Sequence, residues 1–420
     1  MSKERTYFCI DMKCFFASVE CAELGLNPFE TNLVVADESR GTNALCLAIS
    51  PKMKTLGVKN RCRMSEIPKN IHYMVAKPRM KKYIEYAADI YDIYLDYIDP
   101  NDIHVYSIDE AFIDATDYLR IYNKEAREFA LFLINQIANR KHIPAAAGIG
   151  TNLYLAKVAL DITAKKTKDH IGFLNEELYK ETLWHHTPIT DFWQVARGTA
   201  NRLSRYGVTD MAGVAALPEE TLYKAFGINA ELLRDHAFGR ESCLISDIKA
   251  YKPKSKSISS SQILFEDYSY EKARIVMYEM ALAGCQEMMR RHVISNGVGI
   301  YVGYSKDVIE PTGGNVRMAY ATNLYSNVKE YVDSLFDMHV ERDIPIRRLG
   351  ITFGNIMDEA CEGYDLFTDF EKVEREKRLE NTVLGIKDRF GKNAMFRGLD
   401  LSEGATALAR NKMIGGHNGE

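Results

Sequence analysis

Hydrophobic and polar positions change period several times along the chain, and each change marks an element. Tyr7-Phe8-Cys9-Ile10 is a short apolar run that stops at Asp11, and Phe15 to Leu24 then takes up helical spacing. Tyr83, Ile84, Ala87, Ile90, Tyr91, Tyr94 and Leu95 recur at i, i+3, i+4 and i+7, which predicts a helix over 80–98 with one apolar face. The same reading predicts strands near 6–11, 103–107, 111–115 and 145–149, and helices near 15–25, 124–140 and 152–164. This order predicts an α+β fold with a ferredoxin-like β-α-β-β-α-β sheet, into which a subdomain at about 27–79 is inserted. In that topology Asp11 and the Asp109-Glu110 turn lie on neighbouring strands at one edge of the sheet.

Between 173 and 246 the pattern breaks into short helical pieces at Pro188, Gly198, Gly207, Pro218, Gly227 and Gly239, as in a small helical domain. Lys249 to Ser261 is rich in Lys and Ser and poor in large apolar residues, the composition of a linker. Beyond it, helical spacing at 271–291 and 322–339 and alternation at Val298–Val302 and Arg347–Phe353 predict a second α+β domain. A charged helix over 368–389 and a glycine-rich end, 414–420, follow.

At 420 residues the chain exceeds one ordinary core, so several domains are expected. With 46% apolar and 27% charged residues, no run approaches the ~18 apolar residues of a membrane span. The start, Met1 to Arg5, lacks the apolar centre of a signal peptide, so the expected place is the cytoplasm, with no membrane partner. Eight cysteines without a Cys-x-x-Cys pair or zinc spacing read as reduced thiols. A net charge of −4 does not announce a nucleic-acid binder, but the placement of basic residues decides that question.

Two adjacent acids, Asp109 and Glu110, interrupt the β-branched and aromatic run Tyr106 to Asp114. Adjacent carboxylates in a sheet are costly unless something positive sits between them. With Asp11 on a comparable strand end they could hold two Mg²⁺ ions, the arrangement that clamps attacking and leaving oxygens in phosphoryl transfer. Taken alone, the pair fits a solvated hairpin turn equally well.

Ser107-Ile-Asp-Glu-Ala-Phe112 resembles the palm signature of Y-family DNA polymerases, and Ile10-Asp-Met-Lys-Cys-Phe-Phe-Ala-Ser-Val-Glu20 is similar to that family's first motif. The resemblance implies a multidomain polymerase: palm at 1–14 and 80–172, fingers at 15–79, helix-hairpin-helix-like thumb at 173–246, linker at 247–256, α+β little finger at 257–356, and a tail at 357–420. It implies Asp11, Asp109 and Glu110 as catalytic metal ligands for two Mg²⁺ ions, with the Met12 carbonyl as a further ligand. Phe15 and Phe16 would meet the nucleotide, Phe16 at the steric-gate position beneath the sugar, although aromatics on helices are more often core. Lys54 and Lys165 fall where the family grips the triphosphate, with Lys52, Lys166 and Lys168 as weaker candidates.

The chain departs from the family in three places. Pro51 stands where Tyr is usual and Lys54 where Arg is common, so a bidentate fork becomes a point charge, as in UmuC-like, polymerase V type members. Gln194-Val195-Ala196 replaces the thumb's Gly-Ile-Gly, which puts close approach to a DNA phosphate in question. Gly363 stands where Gln is usual in a segment, Tyr364-Asp365-Leu366-Phe367, that resembles the sliding-clamp peptide of bacterial polymerases.

Expected partners are primer-template DNA, deoxynucleoside triphosphates, the sliding clamp and accessory SOS proteins, in error-prone translesion synthesis during the response to DNA damage. Lys254, Lys256, Lys306, Arg317, Arg347 and Arg348 are candidates for the duplex backbone contact. Two rivals share the fold: a nucleotide cyclase, which needs no DNA-gripping module, and a non-catalytic DNA- or clamp-binding factor, which needs no carboxylate trio.

Overall fold

The computed structural model describes residues 5–253, 256–305, 308–363 and 368–419. The chain divides into two compact units, 1–251 and 252–419.

The first unit begins with β1 (Tyr7–Met12) and α1 (Phe15–Glu23), followed by β2 (Leu33–Val35), β3 (Ala48–Ile49), α2 (Pro51–Thr55) and β4 (Met74–Ala76). Then come α3 (Met80–Leu95), β5 (Ile103–Val105), β6 (Glu110–Asp114), α4 (Thr116–Ile121), α5 (Ala126–Lys141), β7 (Ala145–Gly150), α6 (Leu153–Val158) and β8 (Ile171–Leu174). The main sheet runs β5-β6-β1-β7-β8, with β1 antiparallel to both β6 and β7 and β8 parallel to β7. This is the expected ferredoxin-like order with one strand added. Asp11 and Glu110 are on neighbouring strands as expected, but β1 is the central strand, so the acids sit at the end of the sheet's middle and not at a lateral edge.

Alternation along β1 separates two cores. Phe8, Ile10 and Met12 join Ala111, Ile113 and the buried faces of α3 and α5, while Tyr7 and Cys9 join Phe112, Ala146, Leu153, Ala156 and Leu160 beneath α6. Helix α6 lies so close to β7 that a Cβ added at Gly148 would fall 2.0 Å from the Ala156 carbonyl oxygen, and one at Gly150 would fall 2.2 Å from the Ala156 nitrogen. The expected helix over 152–164 is regular only to Val158, after which Ala159–Thr163 widens into a π turn. π turns of this kind occur often at functional sites.

Phe15, Ala17, Val19 and Cys21 place α1 in the main core, so by packing the insert with its own core starts after α1. That small sheet, β3-β2-β4, buries Val34, Cys46, Ile49, Met53, Val58 and Cys62. Pro51 opens α2 at its first position and the Ser50 hydroxyl accepts from the Met53 amide, which explains a proline here: its missing N–H costs a helix start nothing. The helical region contains α7 (Glu176–Leu183), α8 (Arg197–Ser204), α9 (Met211–Ala216), α10 (Glu219–Phe226), α11 (Asn229–Ala237) and α12 (Ile245–Ala250). Tyr179, Phe192, Leu203, Met211, Leu222 and Leu233 form its core against Tyr154, Leu155 and Val158 of α6.

The second unit contains β9 (Ile258–Tyr268), α13 (Tyr270–Arg290), β10 (Val293–Tyr304), β11 (Thr312–Thr322), α14 (Tyr325–His339) and β12 (Ile346–Asp358). Its antiparallel sheet runs β11-β10-β12-β9. Leu349, Ile351 and Phe353 face α13 and α14, and the alternate residues Arg348, Gly350 and Thr352 face the other way. The tail is a folded part of this unit: α15 (Phe370–Phe390), α16 (Ala407–Arg410), β13 (Met413–Ile414) and β14 (His417–Asn418). Glu279 on α13 is buried and accepts from the Thr406 amide at 2.8 Å and the Ala407 amide at 3.1 Å. Among the described residues no helix is long and apolar enough to cross a membrane.

Candidate active site

Asp11 is the last polar position of β1 and stands directly opposite Glu110, the first residue of β6. The turn between β5 and β6 closes through the Tyr106 and Ser107 amides on the Glu110 carbonyl, and the Met12 amide donates to the Asp109 carbonyl at 2.9 Å. Asp109 is thereby folded over the end of β1. Its carboxylate accepts from the Ser107 hydroxyl at 2.6 Å. The trio expected from the sequence is assembled by strand pairing and one tight turn.

Burial pushes the Asp11 carboxyl up to about 7, and the charges of Asp109 and Glu110 push it the same way. Such a cluster of partly buried acids favours a cation, and its all-oxygen donors are those Mg²⁺ prefers. The residues therefore fit the implied metal by chemistry. Among the described residues no group of three or more His, Cys, Asp or Glu side chains is closed around an ion-sized space. The Glu110 carboxylate is instead held by Lys157 of α6, whose Nζ is 2.9 Å from Oε1 and 3.0 Å from Oε2, and by the Cys9 thiol, 3.0 Å from Oε1.

Lys157 escaped the sequence reading, as did Lys13. The signal for Lys157 was a single charge inside the otherwise apolar α6, Leu153-Tyr-Leu-Ala-Lys-Val158. Lys13 follows the metal motif directly and is half-buried; burial lowers its ammonium to about 8, with Lys54 adding to the fall and Cys14 and Asp11 opposing it. Lys54, exposed on α2, reaches the Cys14 thiol at the start of α1. Lys13 and Lys54 thus lie close enough to influence each other, and the Lys13 ammonium also feels the charge of Asp11.

Of the two aromatic candidates, Phe15 is buried in the main core, and Phe16 keeps a partly open face while stacking on Tyr83 at 4.5 Å between centroids. Lys165 is exposed on the short turn Ala164–Lys166 that follows the π turn. In the helical region Gln194 takes the left-handed backbone (φ 67°), so the residue that replaces a glycine keeps a glycine-like conformation at a cost of about 1 kcal/mol. Next to it, Trp193 donates to the Tyr106 hydroxyl at 3.1 Å and packs on Phe112, tying this loop to the turn that carries Asp109 and Glu110.

In the second unit, small polar residues line part of the sheet face turned away from α13 and α14. Ser259, Thr352, Gly299 and Asn315 form one row, and Ser261, Gly350, Tyr301 and Gly313 the next. Arg317 and Arg348 are exposed on it and Lys256 at its margin, whereas Arg347 pairs with Asp267 at 3.6 Å. Lys254, Lys306 and the clamp-like segment Tyr364, Asp365, Leu366 and Phe367 lie outside the described residues.

Residues 10–161 match the impB/mucB/samB family and residues 255–366 match the impB/mucB/samB family C-terminal domain. The chain belongs to this family. It is similar to the putative UV-damage repair protein UvrX of Bacillus subtilis (strain 168), 31% identical with 98% of this chain and 97% of that protein covered. It is equally similar to DNA polymerase IV 2 of the same organism, 31% identical with 99% and 100% covered. A solved Y-family DNA polymerase chimera shares the fold, with a TM-score of 0.64 at 19% identity, over 84% of this chain and 99% of that one. The protein is a Y-family DNA polymerase, with ferredoxin-like palm, inserted fingers, helical thumb and α+β little finger.

Proposed function

We propose that this polymerase adds deoxynucleotides to a primer 3′ end in error-prone translesion synthesis, by two-metal phosphoryl transfer. The registered placement of Asp11 and Glu110, with Asp109 folded over them, supports this reading most strongly. Asp11, Asp109, Glu110 and the Met12 carbonyl would hold the ions. When bound, two Mg²⁺ ions would lower the pKa of the primer hydroxyl and neutralise charge on the departing pyrophosphate. Lys13 and Lys54 hold the triphosphate oxygens, with Lys165 as a further contact, and Phe16 sits beneath the sugar and excludes a 2′-hydroxyl.

The glycine- and serine-rich rows of the little finger's open face leave room for a duplex backbone, with Tyr301 and Ile263 as large exposed side chains and Arg317 and Arg348 as exposed cations on the same face. The lysine in place of arginine at position 54 supports the UmuC-like, polymerase V type assignment. Sliding clamp and SOS accessory proteins are proposed partners, and the cytoplasm is the proposed location. Primer extension on undamaged and lesion-bearing templates, with Mg²⁺ and each nucleotide in turn, tests the reading. Template-directed extension past a lesion supports it, and absence of extension on any template sinks it.

A further inference from the structure

Glu110 is asked to serve two cations. Its two oxygens are 2.9 Å and 3.0 Å from the Lys157 ammonium, which also reaches Asp161 Oδ1 at 3.1 Å, and Oε1 takes the Cys9 thiol as well. Both side chains are buried, at 10% and 9% exposure, so water does not dilute the pair. The close approach of α6 to Gly148 and Gly150 is what lets a lysine on that helix reach β6 past the central strand. An ion among Asp11, Asp109 and Glu110 must take at least one oxygen that Lys157 now holds.

We propose that Lys157 is a positioning residue that acts as a resident counter-ion: it holds Glu110 in the metal-free protein and must release it, wholly or in part, when the metal enters. This rests on the acid trio being the metal site. Without metal, the lysine offsets the repulsion of three neighbouring acids. With metal, it competes for Glu110 and repels the incoming divalent ion, so it sets the metal concentration at which the site fills. The nucleotide's triphosphate, arriving with its own Mg²⁺, then supplies the occupancy that the lysine otherwise resists.

A plain packing role for the Lys157–Glu110 pair makes a different forecast, which Mn²⁺ binding to the full-length protein separates. Isothermal titration of Mn²⁺, without DNA or nucleotide, is paired with thermal unfolding at zero and saturating Mn²⁺. Lys157→Gln should bind Mn²⁺ about tenfold more tightly than wild type, and should gain more in melting temperature from the ion because its metal-free form is weakened. Lys157→Arg keeps the charge and should stay near wild type. In a Glu110→Gln background the effect of Lys157→Gln should shrink, since the competition needs the carboxylate.

Cys9→Ala removes a neutral donor from the same oxygen and should tighten Mn²⁺ binding by about twofold, which keeps the question answerable if Lys157→Gln does not fold. Unchanged or weaker Mn²⁺ binding in Lys157→Gln, or in Cys9→Ala where the first does not fold, overturns the proposal, as does an effect of Lys157→Gln that persists undiminished beside Glu110→Gln. If wild type binds no Mn²⁺, or Asp11→Asn binds it as wild type does, the metal-site reading itself fails.

Discussion

The palm and the little finger are both sheets backed by helices, yet one gathers charge at a buried strand end and the other spreads small polar groups over an open face. At the palm, Lys157 pairs with both Glu110 and Asp161, the charges of Asp109 and Glu110 bear on Asp11, and α6 presses on glycines that admit no Cβ. At the little finger, the glycine Gly350 has ordinary room: a Cβ added there would meet Tyr301 Cβ at 3.4 Å. Chemistry that depends on a few buried charges is fragile to single changes. Binding that depends on a broad face yields only to removal of the whole face.

The largest effect should come from the palm acids. Asp109→Ala is expected to lower nucleotide incorporation about 10³-fold or more, on the scale of losing a dominant electrostatic group. Primer-template affinity, measured by fluorescence anisotropy, should stay near wild type. Near-normal extension by this variant would remove the catalytic assignment.

A chain ending at Tyr251, the boundary of the first compact unit, probes the other half of the comparison. Loss of several phosphate contacts together is expected to weaken duplex binding about 100-fold and to make its salt dependence shallower. Equal affinity and slope in the two chains would locate the DNA grip in the first unit.

Glycine substitutions bring the contrast down to single atoms. Gly148→Ala forces a Cβ against the Ala156 backbone and is expected to cost about 2–3 kcal/mol in urea unfolding. Gly350→Ala should change stability by no more than about 0.5 kcal/mol. Similar losses at both sites would mean that the two sheets are equally tight.

The smallest effect concerns the sugar. Phe16→Ala is expected to raise ribonucleotide use relative to deoxynucleotide use about tenfold, read as a ratio of kcat/KM values, a loss of shape discrimination of ordinary size. An unchanged ratio would leave Phe16 as a packing partner of Tyr83.

Much of the palm was legible because its signals are periodic and local. The helix at 80–98 and the acid-bearing strands came from spacing alone, and the structure ends that helix only three residues early, at Leu95. What escaped was set by contacts between distant segments. Lys157 looks like any helical lysine until α6 is laid across β7, and the π turn that follows it has no periodic signature of its own. Strands β9 and β11 were missed because serines and glycines cover their open face, so the alternation that marks a half-buried strand is muted. The tail read as a charged helix and a loose end, since its partner, Glu279, is 127 residues away from Thr406.

That last separation has a consequence for how the protein is made. Burial raises the Glu279 carboxyl, and the Thr406 and Ala407 amides offset part of the rise. While the chain leaves the ribosome, α13 emerges long before those amides do. At roughly 5–20 residues per second, the 127 residues in between leave the helix waiting about 6 to 25 seconds with a carboxylate facing a core that has no donor for it. The module proposed to hold DNA is therefore completed only once Thr406 and Ala407 have emerged, and a chain clipped before Thr406 carries an unanswered acid on the helix that supports its sheet.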